Sequence, residues 1–319
     1  MKPLYKLFFV LLLSSIAFSS CSSDDDKEKS YSVLLSDLKT KSGVIGEVYS
    51  ESVNALRDGV SISEIDFDSD GERMHMFVAR VDLDKVTIIA STPNDKPELP
   101  NPDAIMPVHA GAAEGNGKTV WLGVNGDFWA KESSGQLIPM GLFYKDGVAI
   151  RTTYYDGHTE VIYKKKDGTV GIGTVNDIFP YLNDMQEVIG GYGLLMKDGQ
   201  ILSVSEDIAQ SSTRQPRTAV GIEGKTLYFL VVDGRQQGYS TGFDMNALSL
   251  LFNALGCSDA IALDGGGSTT LVVRKTKPDG LVTFPIVNRP SDKGGARTIS
   301  NGILVVDNPQ PCLLYTSDA

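Results

Sequence analysis

The chain has 319 residues, of which 41% are hydrophobic and 22% charged, enough apolar material for one large or two ordinary domains and too much for a disordered chain. Its formal net charge of -11, with no basic stretch to offset it, argues against nucleic acid as a partner. An anionic ligand would have to be met by a few local cations, so individual arginines carry weight.

The first twenty residues read as a secretion signal: Lys2 and Lys6 flank an apolar run from Leu7 to Phe18, and Ser19 and Ser20 follow. The run is too short for a comfortable membrane span. "AFSSC" resembles the lipobox of bacterial lipoproteins, which makes Cys21 the expected lipidation site and a lipid anchor the expected link to a membrane. The leader "CSSDDDKEK" resembles the export signal of surface lipoproteins in Bacteroidetes, and implies an outer-membrane, surface-exposed protein. Residues 21–36 are expected to form an acidic, solvated tether. The remaining cysteines, Cys257 and Cys312, make no disulfide framework and no metal knuckle.

Residues 37–70 read as an N-terminal extension of strand and loop, with a short helix around Ser52 to Arg57. From residue 71, strand signals recur in "RMHMFVARVDL" and "KVTIIAST". The proline-rich "TPNDKPELPNP" is a loop, and Ala104 to Ala113 a short helix. Four further segments, "TVWLGVNGDFW", "GLFYKDGVAI", "EVIYKKKDGTVGIG" and "YGLLMKDGQIL", are strand-rich, three of them turning at Lys-Asp-Gly triplets. "RTAVGIEGKTLYFLVVDG" is a hairpin turned at Glu223-Gly224, its second strand apolar enough to be buried on both faces.

One helix is well defined: Asp244 caps it, Met245, Leu248, Leu251, Phe252 and Leu255 share a face, and Gly256 ends it. A short buried strand, Ala260 to Leu263, follows. These elements predict an α+β fold with a mixed or antiparallel β-sheet core, hairpins and a few packed helices. Residues 71–307 are expected to form the main domain, and residues 308–319, ending in "CLLYTSDA", a non-native tail.

Behind that last strand stands "LDGGGSTT". Three successive glycines maximise the entropy lost on ordering, which argues for a task beyond turning the chain. Gly265, Gly266 and Gly267 with Ser268 are expected to aim amides and a hydroxyl at an anion. No P-loop is present, because no Gly-Lys-Ser or Gly-Lys-Thr follows. Four more polar clusters adjoin predicted strand ends: Asn125-Gly126-Asp127, Arg217, Asp233-Gly234-Arg235, and Asn288-Arg289 through Arg297.

"VNGDFW", "RTAVGI", "VVDGRQ", "DAIALDGGGSTTLVV" and "NRPSDKGGARTISNGILV" stand in the order found in the phosphodiester glycosidase domain family, which this chain resembles over roughly residues 70 to 307. The family includes the mammalian uncovering enzyme, which removes N-acetylglucosamine from a phosphodiester. The resemblance implies hydrolysis of the glycosidic C–O bond of a sugar-1-phosphodiester in a phosphate-linked glycan, releasing free sugar and a phosphomonoester. Two departures stand out: the family more often has "NGGFF" where this chain has Asp127 and Trp129, and a glutamate usually precedes the last arginine, where Gly295 and Ala296 precede Arg297.

Such a substrate already carries a stabilised leaving group, so its site needs phosphate ligands and a carboxylate more than a strong general acid. Asp264 and Asp233 are the candidate catalytic carboxylates, and Asn125 is placed to hold a sugar hydroxyl or orient water. Arg217 is the expected phosphate clamp, joined by Gly265 to Gly267, Ser268, Arg297 and Asp127. Trp121, Phe128, Trp129 and Tyr239 are candidates to stack on sugar.

His75, His109 and His158 have no metal-ligand spacing, so no catalytic metal is expected. No cofactor is called for, although the Asp-rich loops leave room for structural calcium. The sequence specifies no oligomeric state. A non-catalytic glycan-binding lipoprotein remains the competing reading.

Overall fold

The computed structural model describes residues 31–99, 103–206, 208 and 210–309. The predicted signal, Cys21, residues 21–30 of the tether and residues 310–319 of the tail lie outside the described residues.

Three antiparallel sheets and four α-helices account for most of the architecture. The largest sheet has eight strands in the order Val48–Arg57, Val60–Ser69, Glu72–Asp82, Thr226–Val232, Arg217–Glu223, Asp259–Ala262, Leu194–Lys197 and Gln200–Ile201. Beside it lie a four-stranded sheet (Leu271–Val273, Val120–Asn125, Gly302–Asp307, Val86–Ser91) and a five-stranded sheet (Val170–Thr174, Glu160–Lys165, Met185–Gly190, Phe143–Lys145, Val148–Arg151). Every named strand pair is antiparallel, which selects one of the two predicted sheet types.

The main core is sealed between these sheets. Phe77, Val81, Val220, Phe229 and Ile261 of the eight-stranded sheet pack with Ile88, Leu122, Val124 and Ile303 of the four-stranded sheet and Ile162 and Ile189 of the five-stranded one. On the far face of the large sheet, Leu35 and Leu38 of the helix Val33–Ser42 join Leu248, Leu251 and Phe252 of the helix Met245–Ala254. The strand Thr226–Val232 is therefore covered on both faces, as its unbroken apolar sequence implies. A fully buried Lys145 ties sheet to sheet, its Nζ 2.8 Å from Asp95 Oδ1 and 3.0 Å from the Ala90 carbonyl.

Local signals explain most elements. Asp244 Oδ1 accepts the Ala247 N–H at 2.7 Å and caps the second of these helices. The helix expected at Ala104 to Ala113 runs Met106–Gly115. Asp146-Gly147 and Asp198-Gly199 adopt positive φ at both positions, the conformation that two-residue hairpin turns require.

Three expectations at the N-terminal end are corrected. Ser32 Oγ caps the helix Val33–Ser42 by accepting the Leu35 N–H, so ordered structure begins inside the stretch assigned to the tether. Ser52 to Arg57 are strand, because cross-strand pairing with Val60–Ser69 overrides the local helical tendency. The boundary at residue 70 divides nothing: the strands on either side of it are neighbours in the eight-stranded sheet.

Candidate active site

Three adjacent strands of the large sheet bring three of the sequence clusters to one edge. Arg217 opens its strand, Asp233 follows the end of Thr226–Val232, and Asp264 lies two residues beyond the end of Asp259–Ala262. Because the pairing is antiparallel, with Arg217 opposite Val232 and Ala219 opposite Ala262, these points converge. The four-stranded sheet supplies the fourth cluster. Its strand Val120–Asn125 ends beside Asp264, whose N–H donates to the Gly126 carbonyl at 2.9 Å.

An open pocket of about 280 Å³ lies there, lined by Phe128, Gln210, Gln215, Arg217, Arg235, Asp264, Gly265, Gly266, Gly267 and Arg297. The glycine run is its floor. Gly266 has φ +58°, and a Cβ there would stand 3.1 Å from the Arg235 guanidinium; a Cβ at Gly267 would collide with Arg297 and its partner Asp292. The glycines let two guanidinium groups lie close over the main chain.

Of the three glycine amides expected to meet an anion, that of Gly266 is bound within the main chain. The amides of Gly266, Ser268 and Thr269 donate to the carbonyls of Pro216, Gly265 and Gly266, because the loop closes into a single 3₁₀ turn. Arg235 and Arg297 bring full positive charge to the pocket. Arg235 is exposed and held by Gln215, whose Oε1 accepts from Nε at 2.6 Å; Arg297 is held by Asp292, whose Oδ2 accepts from Nε and Nη2 at 3.0 and 2.8 Å.

Asp264 faces this pair. Burial in the pocket wall raises its carboxyl from the usual carboxylate range to about 6, opposed by the nearby Ser268 hydroxyl, Arg297, the Gly265 amide and Arg235. A carboxyl group in that range switches between acid and base close to neutrality. Ser268 itself is fully buried behind it.

Three expected site residues, Asp233, Asn125 and Arg217, are bound into the frame instead, and a fourth, Asp127, lies outside the pocket lining. Asp233 is enclosed by donors: Asn288 Nδ2 and the Arg289 N–H reach Oδ1 at 2.9 and 3.0 Å, while Tyr239 Oη and the same N–H reach Oδ2 at 2.9 and 3.0 Å. It is buried and outside the pocket lining, so it anchors the 288–289 segment rather than meeting an anomeric carbon. Asn125, fully buried, donates to the Asp264 carbonyl at 2.6 Å and accepts from Thr218 Oγ1 and the Thr270 N–H. It fixes the backbone under Asp264 and leaves sugar and water to other groups.

Arg217 borders the pocket, but its fork is spent on main chain. Nε donates to the Phe243 carbonyl and Nη2 to those of Gln210 and Thr213, each at 2.9 Å. Burial lowers it to about 10. It shapes the loop that carries Gln210 and Gln215. Asp127 is buried, with the Gly141 N–H 2.7 Å from its Oδ2, and it does not reach the pocket lining where a phosphate would be bound.

Arg235 belongs to "VVDGRQ", the same cluster as Asp233, and is a pocket residue that the expected site did not include. Its signal was an arginine placed directly after a glycine at a strand end, and the structure gives it a left-handed backbone with φ +59°. Of the expected stacking residues, Phe128 lines the pocket, backed edge-on by His158 and Tyr192. Tyr239 is committed to Asp233, and Trp121 donates to Asp307 at 2.7 Å. Buried His109 bonds Ser91, and burial lowers it to about 4. Among the described residues, no group of three or more His, Cys, Asp or Glu side chains is arranged to hold a metal ion.

The profile of the phosphodiester glycosidase family matches residues 118–306, more than half of the chain and nearly all of this site. The chain belongs to the phosphodiester glycosidase family. Its fold is similar to that of the zebrafish N-acetylglucosamine-1-phosphodiester alpha-N-acetylglucosaminidase catalytic domain, solved auto-inhibited by its pro-peptide, with a TM-score of 0.55 at 21% identity over 83% of this chain and 87% of that one. A hypothetical protein from Synechocystis gives the same TM-score, 0.55, at 13% identity over 81% of this chain and 64% of that one. No curated protein matches the sequence. The family supports a general glycosidase role.

Proposed function

We propose that this phosphodiester glycosidase hydrolyses the glycosidic C–O bond of a sugar-1-phosphodiester in a phosphate-linked glycan. The observation that carries the reading is the convergence of Arg235 and Arg297 over the glycine floor beside the perturbed carboxyl of Asp264. The two guanidinium groups bind the phosphodiester oxygens and take up the charge that grows as the bond breaks. Asp264, ionised above about pH 6, stands at the anomeric centre.

The net reaction balances simply. Water oxygen bonds to the anomeric carbon, the C–O bond to phosphate breaks, and the electron pair leaves on the phosphomonoester. Asp264 takes the proton of the attacking water, and Phe128 offers a face for the sugar ring. The reaction drawn this way uses no cofactor.

Purified protein incubated with a panel of sugar-1-phosphodiesters should release reducing sugar and phosphomonoester in equal amounts. Tight binding of every member without release would instead establish a glycan-binding protein.

We also propose that the chain is exported and anchored in the outer membrane through lipidated Cys21, a reading supported by the apolar run ending just before it. Cys21→Ala should move the protein from the membrane to the soluble fraction. Continued membrane association of that variant would overturn it.

A further inference from the structure

Asp127 is a residue without an evident task. It is 1% exposed. Its Oδ2 accepts one hydrogen bond, from the Gly141 N–H, and its Oδ1 is buried with no protein partner. It belongs to no ion pair among the described residues. The other donor acting on it is the Phe128 amide, and a carboxylate buried this deeply is costly to ionise.

The surroundings are nevertheless fitted to it. A Cβ at Gly190 would stand 2.6 Å from Asp127 Oδ2, so the glycine keeps the space that this carboxyl group fills. Its own N–H donates to Asn301 Oδ1 at 2.9 Å, and the preceding Gly126 carbonyl accepts the Asp264 N–H at 2.9 Å. The main chain thus holds two acids on neighbouring strand ends, one lining the pocket and one outside its lining.

The charged groups around the pair are few. Arg235 and Arg297 act on Asp264 from the pocket side, and they favour its ionised form. Arg151 is the cation that acts on Asp127, while the charge of Asp264 opposes its ionisation. His158, across Gly141, is disposed to neutrality by burial and carries no compensating charge.

We infer that Asp127 and Asp264 work as one carboxyl pair that holds a single proton between them through the active pH range, with the proton on Asp127. The inference rests on the reading that Asp264 meets the anomeric centre. Asp127 does not line the pocket and is a positioning residue: it acts through Asp264. While it stays protonated, the site carries one negative charge, which Arg235 and Arg297 outweigh at the phosphate. Ionising it adds a second charge beside the phosphodiester and stops turnover.

The test combines two measurements on full-length protein. Carboxyl ¹³C NMR titration of the substrate-free protein should show Asp264 titrating near pH 6, with the Asp127 carbon unmoved until well above it. Against pH, kcat/KM on a sugar-1-phosphodiester should rise through pH 6 and fall at high pH; Asp127→Asn should keep the rise and abolish the fall.

Asp127 titrating with or below Asp264, or a variant profile superimposable on the wild type, overturns the pair. If Asp127→Asn fails to fold, Asp127→Gly makes the same comparison and the wild-type titration needs no variant. If no sugar-1-phosphodiester is turned over, the functional reading fails while the titration still decides whether one proton is shared.

Discussion

The guanidinium of Arg235 lies against Gly266, so close that one methyl group at 266 would stand 3.1 Å from Nη1. The contact explains why the chain places its most flexible residues between two good strands. A side chain there would lift the cation off the floor of the pocket. Arg235→Ala should raise KM for a phosphodiester by about 10- to 100-fold, the worth of a charge-assisted hydrogen bond, with little change in Tm. Gly266→Ala should weaken binding comparably and also cost about 1 kcal/mol of stability, because φ is +58° there. Unchanged KM in both variants, measured by steady-state kinetics, would remove Arg235 from the site.

Asp264→Asn should abolish turnover while retaining substrate affinity, since the amide keeps the shape and removes a charge near the phosphate. The same substitution should stabilise the protein above pH 6. Folding raises the Asp264 carboxyl from 3.8 to about 6, so the wild type has its full stability from this group below pH 4 and loses it as pH rises toward 6. The full shift corresponds to about 3 kcal/mol, and the partial exposure of Asp264 in the pocket reduces the expected gain to about 1 to 2 kcal/mol. Denaturation curves of the two proteins should coincide at pH 3.5 and separate by pH 7.

Arg217→Lys should act on the frame before it acts on phosphate. An ammonium cannot reach the three carbonyls that Nε and Nη2 now satisfy at 2.9 Å, and leaving them unpaired should cost about 2 to 4 kcal/mol. Thermal unfolding checks the loss directly. A variant of wild-type Tm with selectively raised KM would return Arg217 to the phosphate.

Asp233→Asn should likewise lower Tm, by a stability loss of about 2 kcal/mol. The carboxylate accepts from Tyr239, Asn288 and Arg289, and an amide nitrogen in place of either oxygen meets donors instead of giving them an acceptor. Residual folded enzyme should keep its kcat. A stable variant without turnover would restore Asp233 as a catalytic acid.

The α+β class, the Asp244-capped helix, the paired Asp-Gly turns and the doubly buried strand Thr226–Val232 were determined by the sequence alone, because periodicity, caps and turn residues act within a few positions. The ordered motifs likewise identified Asp264, the glycine loop and Arg297 as belonging together. The strand Val48–Arg57 needed its partner, since only pairing with Val60–Ser69 outweighs local propensity. Roles within the motifs needed the tertiary structure too. Arg217, Arg235, Asp233 and Asp264 are the same kinds of residue at the same kinds of strand end, and one sequence pattern cannot separate a charge that faces a pocket from one that ties down a loop. What separates them is which partners the folded chain brings within hydrogen-bond reach: backbone carbonyls for Arg217 and four donor contacts for Asp233, but a glycine floor and open space for Arg235 and Asp264.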